Sequence, residues 1–296
     1  MPLTPFERQP EYFIGCDKTY AGADIILFGA PFDGTASFRP GARFAPAVLR
    51  RESWGLETFS PYQDRGMSQA RAHDAGDLDL PFGSPARAVG MVRDAVSRIA
   101  ADGKRPFMIG GEHLLTLGAV QALADIYPDL RLLHFDAHAD LRDEYLGEKL
   151  SHATVMRRIW EILGDGRIFQ FGIRSGKRSE FEFADAHTDL RKFDLIGVNE
   201  VCASLAPYPV YVTIDLDVLD PSVFPGTGTP EPGGVSVDNL IFSRFGLRKL
   251  GKGAPRAGVV GIDAMELSPP YDFSGISAAA AGKVVREMVI ALSGRG

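Results

Sequence analysis

Cysteine is nearly absent from the 296-residue sequence, which contains only Cys16 and Cys202. Neither lies in a CxxC or zinc-finger spacing, so a disulfide framework is disfavoured and a reducing compartment is expected. No apolar run approaches the roughly 20 residues that span a bilayer. The first residues also contain no apolar core of signal-peptide length. We therefore expect a cytoplasmic protein that has no membrane partner.

An excess of positive charge is also missing. The 32 Lys and Arg residues are outnumbered by 38 Asp and Glu, which gives a net charge of −6. This balance argues against a nucleic-acid partner, because such proteins usually carry a basic surface. Repeats, linkers and low-complexity segments are lacking as well, so we expect one domain over residues 1–296.

Short apolar runs alternate with helical patterns. Residues 85–101 place apolar side chains on one helical face, with Ser84 as N-cap and Pro85 at the first position. Further helices are predicted near 153–163 and over 276–292. The predicted strands are 23–31, RPFMIGG at 105–111, RLLHFD at 131–136, RIFQFGIR at 167–174, VYVTID at 210–215 and AGVVGIDAMEL at 257–267. This alternation predicts parallel strands covered by helices, with ligands bound beyond the carboxyl ends of the strands.

The segment HFDAHAD carries the clearest chemical signal. Asp136, His138 and Asp140 occupy alternate positions directly after an apolar run. Alternate side chains of an extended backbone point the same way, so three ligand-type groups would converge beyond one strand end. The alternative is a solvated polar loop.

Two other strand ends repeat this chemistry. Asp215 and Asp217 follow VYVT on one side, and two carboxylates so close repel unless a positive charge lies between them. The alternative is that one of these two carboxylates faces solvent or caps a turn. IGGEH places His113 after a third strand, and a lone histidine is more often structural. Together the three clusters predict a carboxylate-rich site for two metal ions. Imidazole and carboxylate ligands without thiolate favour Mn²⁺ or another fairly hard divalent ion.

The sequence resembles the ureohydrolase family, which comprises arginases, agmatinases and their relatives. Within this family it resembles the bacterial agmatinases most. The motifs GGEH, FDAHAD, SHA, TIDLDVLDP, PGTGTPEPGG and MELSPPYD occur in the family's order and spacing. The resemblance implies a three-layer α/β/α fold with a central, mostly parallel sheet of about eight strands. It also implies assembly as a homotrimer or homohexamer.

The resemblance further implies two Mn²⁺ ions per subunit. His113 and Asp140 would bind one ion and His138 and Asp217 the other. Asp136 and Asp215 would bridge both ions. The spacing alone does not give this division.

Three residues are expected to act in catalysis. Asp140 is the expected first proton acceptor. His152 is the expected proton shuttle, although the residues alone favour a histidine at a helix terminus. Glu266 is expected to anchor a guanidinium group by paired hydrogen bonds; a surface glutamate at a strand end is the alternative. Asp263, its local competitor, should point to the opposite face of the strand.

The resemblance favours agmatine, cleaved to putrescine and urea. Arg142 stands where arginases have the Asn that helps to bind the arginine carboxylate, and Lys177 stands where they have an Asp. N1-aminopropylagmatine and 4-guanidinobutyrate remain alternatives. Acidic residues of the loop 141–150, or Glu180, are candidates to face the distal ammonium, while Arg142 would instead suit a carboxylate.

Two other classes compete with this interpretation. A two-metal phosphoesterase would want positive groups near the metals to hold an anion. A non-catalytic relative would have lost a ligand, whereas all six ligand positions are filled here.

Overall fold

A sheet of eight parallel strands forms the centre of the described part of the chain, which comprises residues 11–241, 250 and 257–293 of a computed structural model. Its spatial order is β4-β1-β5-β10-β9-β6-β7-β8. The strands are β1 Ile25–Ala30, β4 Ala72–Asp77, β5 Arg105–Gly110, β6 Arg131–Phe135, β7 Ile168–Ile173, β8 Asp189–Lys192, β9 Pro209–Asp215 and β10 Gly258–Met265. A short antiparallel hairpin pairs β2 Phe59–Ser60 with β3 Arg65–Gly66.

Helices cover both faces of the sheet. They are α1 Ala45–Ser53, α2 Pro85–Ala101, α3 Thr116–Ile126, α4 Val155–Leu163, α5 Arg178–His187, α6 Val198–Ser204 and α7 Ile276–Leu292. None of the helices in the described ranges is both long and apolar enough to cross a membrane.

Strand alternation divides the apolar side chains into two cores. Ile25 and Leu27 of β1 pack with α1, α6 and α7. Ile26 and Phe28 pack on the opposite face with α2, α3 and α4. Because successive side chains of a strand point to opposite faces, a continuous apolar strand serves both cores. The three-layer α/β/α prediction is confirmed.

The six strands predicted from apolar runs are confirmed, and the helices predicted over 85–101 and 276–292 have the predicted bounds. Ser84 is the N-cap of α2, but its side chain makes no capping hydrogen bond. The edge strands β4 and β8 were not predicted. Their sequences AHDAGD and DLRK contain too few apolar residues to produce a strand pattern.

The sheet order gathers the ends of four strands. β5, β10, β9 and β6 are neighbours at the centre of the sheet. His113, Glu266, Asp215 and Asp136 lie at or just beyond their carboxyl ends. Because the strands are parallel, these four chain segments meet at one edge of the sheet.

Candidate metal centre

One buried imidazole nitrogen lies among three carboxylates. Nδ1 of His113 is 3.2 Å from Oδ2 of Asp136. The same nitrogen is 3.3 Å from Oδ2 of Asp140 and 3.3 Å from Oδ2 of Asp215. His113 itself is fully buried. The structure therefore brings together four of the six predicted ligands at this point.

A second histidine lies on the other side of Asp136. Nδ1 of His138 is 3.0 Å from Oδ2 of Asp217 and 3.6 Å from Oδ1 of Asp136. Asp136 thus directs Oδ2 toward His113 and Oδ1 toward His138. All six predicted ligands lie in one cluster, with Asp136 between its two halves.

The donor set fits a divalent cation. Among the described residues, Nδ1 of His113 has no hydrogen-bond partner although it is buried. Its distances of 3.2–3.3 Å from three carboxylate oxygens match the spacing of neighbouring ligands around one ion. Octahedral ligands about 2.1 Å from an ion lie about 3.0 Å from one another. Asp136, His138 and Asp217 form a further group with ligand atoms close enough to hold an ion.

The pKa values of the buried carboxylates also indicate a cation site. Burial, together with Asp217 and Asp136, holds the pKa of Asp215 well above its usual range. Burial and Asp136 likewise raise the pKa of Asp140 to about 7. Buried carboxylates that repel one another are stabilised by cations between them.

Two of the predicted site residues have a strained backbone conformation. Asp140 and Glu266 have φ angles of 52° and 65°, in the left-handed region that side chains seldom adopt. The carbonyl of Asp140 accepts hydrogen bonds from the N–H groups of Met156 and Arg157 at the start of α4. The Glu266 N–H donates to the carbonyl of Gly111 at 3.0 Å. Such conformations persist only where neighbours hold them, and they cluster at functional sites.

Glu266 lies beside the cluster rather than in it. Its Oε1 accepts a 2.8 Å hydrogen bond from the backbone N–H of His113. Burial and the nearby Glu112 raise the pKa of Glu266 to about 8. Asp263, its competitor, points to the other face of β10, where Oδ2 accepts from Thr116 at 2.8 Å and from Tyr211 at 2.7 Å.

A cavity of ≈ 170 Å³ opens onto the cluster. Its walls include five residues singled out from the sequence, namely His138, Asp140, His152, Asp215 and Glu266. Thr229, from the motif PGTGTPEPGG at 225–234, also lines it. The cavity therefore joins the candidate metal ligands to the candidate guanidinium anchor.

His152 lies on the cavity wall at the start of the 3-10 turn that precedes α4. Its backbone N–H donates to Thr35 Oγ1 at 3.2 Å, and its Nε2 is 3.2 Å from Ser37 Oγ. Burial lowers the pKa of His152 to about 4, so the imidazole is neutral at pH 7. A free imidazole titrates near neutrality, so a proton shuttle at this position would start from the neutral form.

Glu180 does not offer a free carboxylate to a ligand. Oε1 accepts from the Leu141 N–H at 3.0 Å, and Oε2 accepts from the Lys177 N–H at 2.7 Å and from Arg142 Nε at 3.3 Å. The Arg142 guanidinium lies 4.5 Å from the ring centroid of Tyr145. Arg142 and Tyr145 both line the cavity, which gives this wall a cationic side chain.

Sequence reasoning missed His134. Its Nε2 is 2.7 Å from Oδ2 of Asp136, and both residues are fully buried. The available signal was the two-residue spacing in HFD, which puts both side chains on one face of β6. Because its neighbours are Leu and Phe, His134 is easily taken for part of the apolar run.

Comparisons with known proteins agree with the site. The Arginase family model matches residues 23–291. The agmatinase of Bacillus subtilis is 44% identical over 280 residues, which cover 94% of this chain and 95% of that protein. The human mitochondrial guanidino acid hydrolase is 34% identical over 284 residues, covering 92% of this chain and 79% of that one.

Solved structures agree as well. A putative agmatinase from Clostridium difficile has a TM-score of 0.88 at 45% identity, covering 93% of this chain and 99% of that chain. The agmatine ureohydrolase of Thermoplasma volcanium has a TM-score of 0.84 at 32% identity, with 96% and 94% covered. The chain belongs to the arginase family.

Proposed function

We propose that this protein is a binuclear manganese hydrolase that cleaves agmatine to putrescine and urea. The observation that carries the proposal is the position of Asp136, whose two oxygens face His113 and His138 separately. The agmatinases at 43–44% identity supply the choice of reaction.

His113 and Asp140 would hold one ion, His138 and Asp217 the other, and Asp136 and Asp215 would bridge both. The oxygen-rich ligand set with two imidazoles suits Mn²⁺. Bound divalent ions would supply a water of lowered pKa at neutral pH. Such a water is needed because the delocalised charge of a guanidinium makes its carbon a poor electrophile.

Glu266 orients the substrate. Its Oε1 is held by the His113 N–H, which leaves Oε2 to accept from the guanidinium. A carboxylate fixes the plane of a guanidinium, and a fixed plane presents the carbon to attack from one side. Substrate and metal ligand are thereby positioned by the same hydrogen bond.

Asp140 and His152 move protons. Water adds to the guanidinium carbon, and the Asp140 carboxylate accepts the proton that the water loses. Asp140 then returns this proton to the alkyl nitrogen, and the bond from the carbon to that nitrogen breaks. The hydroxyl on the carbon gives up its proton to the departing amine, which leaves urea. His152, whose Nε2 lies 3.2 Å from Ser37 Oγ, relays protons between the cavity and solvent.

Arg142 favours a second candidate substrate, a guanidino acid such as 4-guanidinobutyrate. It brings positive charge to the cavity wall, while Glu180 is fully engaged by hydrogen bonds. Arg142 pairs with Glu180 through Nε, and a substrate carboxylate would accept hydrogen bonds from its other guanidinium nitrogens, to which agmatine offers no acceptor. Agmatine remains our proposal because the relatives at 43–44% identity are agmatinases.

A urea-release panel tests the proposal. Manganese-loaded protein would be assayed on agmatine, N1-aminopropylagmatine, 4-guanidinobutyrate, arginine and a generic phosphate ester, with metal-free protein as the control. We expect agmatine to give the highest kcat/KM. A preference for 4-guanidinobutyrate would establish the second candidate, and hydrolysis of the phosphate ester alone would contradict both.

We further propose that the protein acts in the cytoplasm as a homotrimer or homohexamer. Light scattering on the purified chain measures the assembly, and a monomer or dimer would contradict it.

A further inference from the structure

Gln170 and His134 lie opposite each other on β7 and β6. Both side chains are fully buried. Gln170 Nε2 is 2.9 Å from the carbonyl oxygen of Ala139 and 3.0 Å from Nδ1 of His134. Thr188 Oγ1 donates to Gln170 Oε1 at 3.1 Å. The amide of Gln170 is therefore held at both ends.

These contacts decide which nitrogen of His134 carries a proton. The Ala139 carbonyl can only accept a hydrogen bond, so the atom facing it must be the amide nitrogen of Gln170. The second hydrogen of that amide points to His134 Nδ1, which must accept it. The imidazole proton consequently resides on Nε2, which lies 2.7 Å from Oδ2 of Asp136 and donates to it.

We propose that Gln170 is a positioning residue for the metal centre: through the tautomer of His134, it fixes the orientation of Asp136. This inference rests on the proposed bridging role of Asp136. Oδ1 of Asp136 accepts a 2.6 Å hydrogen bond from the His138 N–H, and Oδ2 accepts one from His134. Each oxygen keeps a second lone pair, on the sides that face His138 and His113.

The same tautomer prevents His134 from binding an ion. His113, His134 and Asp136 have ligand atoms close enough to hold a cation. A protonated Nε2 has no lone pair to offer, however, and Nδ1 is engaged by Gln170. Gln170 thus keeps the ions on the far side of Asp136.

Loss of the Gln170 amide should free His134 to change its tautomer. In Gln170→Met the side chain keeps its length but cannot donate to His134 Nδ1. The imidazole can then adopt either tautomer, and one of them turns a lone pair toward Asp136. Removing the partner that orients a metal ligand typically weakens metal binding by about 10–100-fold.

The first measurement is ¹⁵N NMR of the metal-free protein labelled at its six histidines, with His134 assigned from the spectrum of His134→Gln. We expect a protonated Nε2 and an unprotonated Nδ1 in the wild type, and mixed tautomers in Gln170→Met. An unprotonated Nε2 in the wild type would overturn the inference.

The second measurement is the Kd for Mn²⁺ by calorimetry. We expect Gln170→Met and His134→Leu to raise Kd by about 10–100-fold, whereas His134→Gln, which keeps an N–H donor, should retain most of the affinity. Gln63→Met is the matched control, since Gln63 is another buried glutamine but bonds to Glu287. Wild-type affinity in Gln170→Met, or equal losses in both His134 variants, would overturn the inference.

Neither measurement depends on substrate. If Mn²⁺ binding responds as expected but the wild type releases no urea from any guanidino compound, the proposed function fails and the positioning role stands. If the wild type hydrolyses agmatine and Gln170→Met binds Mn²⁺ normally, the positioning role fails and the proposed function stands.

Discussion

The backbone N–H of His113 donates a 2.8 Å hydrogen bond to Oε1 of Glu266. This bond joins the segment after β5 to the segment after β10, and it couples a candidate metal ligand to the candidate substrate anchor. The two residues are 153 positions apart in the chain. Neighbouring parallel strands bring them together.

Glu266→Gln should leave metal binding intact and reduce kcat/KM for agmatine by about 100-fold or more. The amide oxygen of Gln can still accept from His113, but an N–H₂ group replaces the oxygen that would accept from the guanidinium. Steady-state kinetics and elemental analysis on the same preparation test both halves. Unchanged kinetics would remove Glu266 from the mechanism.

Asp136→Asn should abolish retention of both ions and all turnover, because the variant removes the charge shared between the two halves of the cluster. Manganese content after dialysis is the measurement. Asp220→Asn is the matched control, since Asp220 is also an aspartate near β9 but uses its carboxylate to accept from the Ser222, Gly233 and Gly234 N–H groups. Near-normal manganese in Asp136→Asn would refute its bridging role.

Gly111→Ala should cost about 1–3 kcal/mol of unfolding free energy and weaken Mn²⁺ binding. An added Cβ would lie 2.0 Å from the Phe32 carbonyl oxygen and 2.7 Å from that of Ala30. The shift needed to relieve this clash would move the carbonyl that accepts from the Glu266 N–H.

Gly90→Ala is the control for that variant. Gly90 lies inside α2, and an added Cβ there meets nothing within 4 Å. We expect it to stabilise the protein by about 0.5–1 kcal/mol without changing Mn²⁺ affinity. Chemical denaturation of the two variants gives the comparison, and equal stability of both would contradict the close approach at Gly111.

Glu287→Gln tests a buried carboxylate remote from catalysis. Burial alone would raise the pKa of Glu287, but hydrogen bonds from Ser60, Gln63 and Arg286 lower it below its usual value. A carboxylate with a depressed pKa stabilises the fold above the unfolded-state pKa of about 4.3, and that contribution disappears as pH falls through the folded-state value.

The variant should therefore be less stable by about 1–3 kcal/mol at pH 7, and the deficit should shrink below about pH 4. Denaturant titrations at both pH values provide the measurement. Glu200→Gln, an exposed substitution on α6, is the control. A deficit that stays constant with pH would show that lost packing, rather than charge, causes it.

The sequence was sufficient to predict the central strands and the six clustered residues. Asp136, Asp215 and His113 follow apolar runs, and parallel strands necessarily bring such ends to one edge. The edge strands were missed because Ala72–Asp77 is largely polar: its Asp74 pairs with Arg50 instead of packing in the core.

The partners of the site residues could not be predicted from the sequence. Which residue lies opposite His134 depends on the pairing of β6 with β7 and on the register of that pair. The sequence alone therefore does not indicate the role of Gln170. Glu180 is one of the candidates for contacting a substrate ammonium. Its bond to the Lys177 N–H is a local cap of α5, but its bond to the Leu141 N–H depends on how α5 docks.

The central claim is a pair of divalent ions on either side of Asp136. Anomalous diffraction at the manganese edge, from crystals grown with Mn²⁺, tests it directly. We predict two peaks about 3.5–4 Å apart, one beside His113 Nδ1 and the other beside His138 Nδ1. A single peak, or manganese bound away from these nitrogens, would contradict the account.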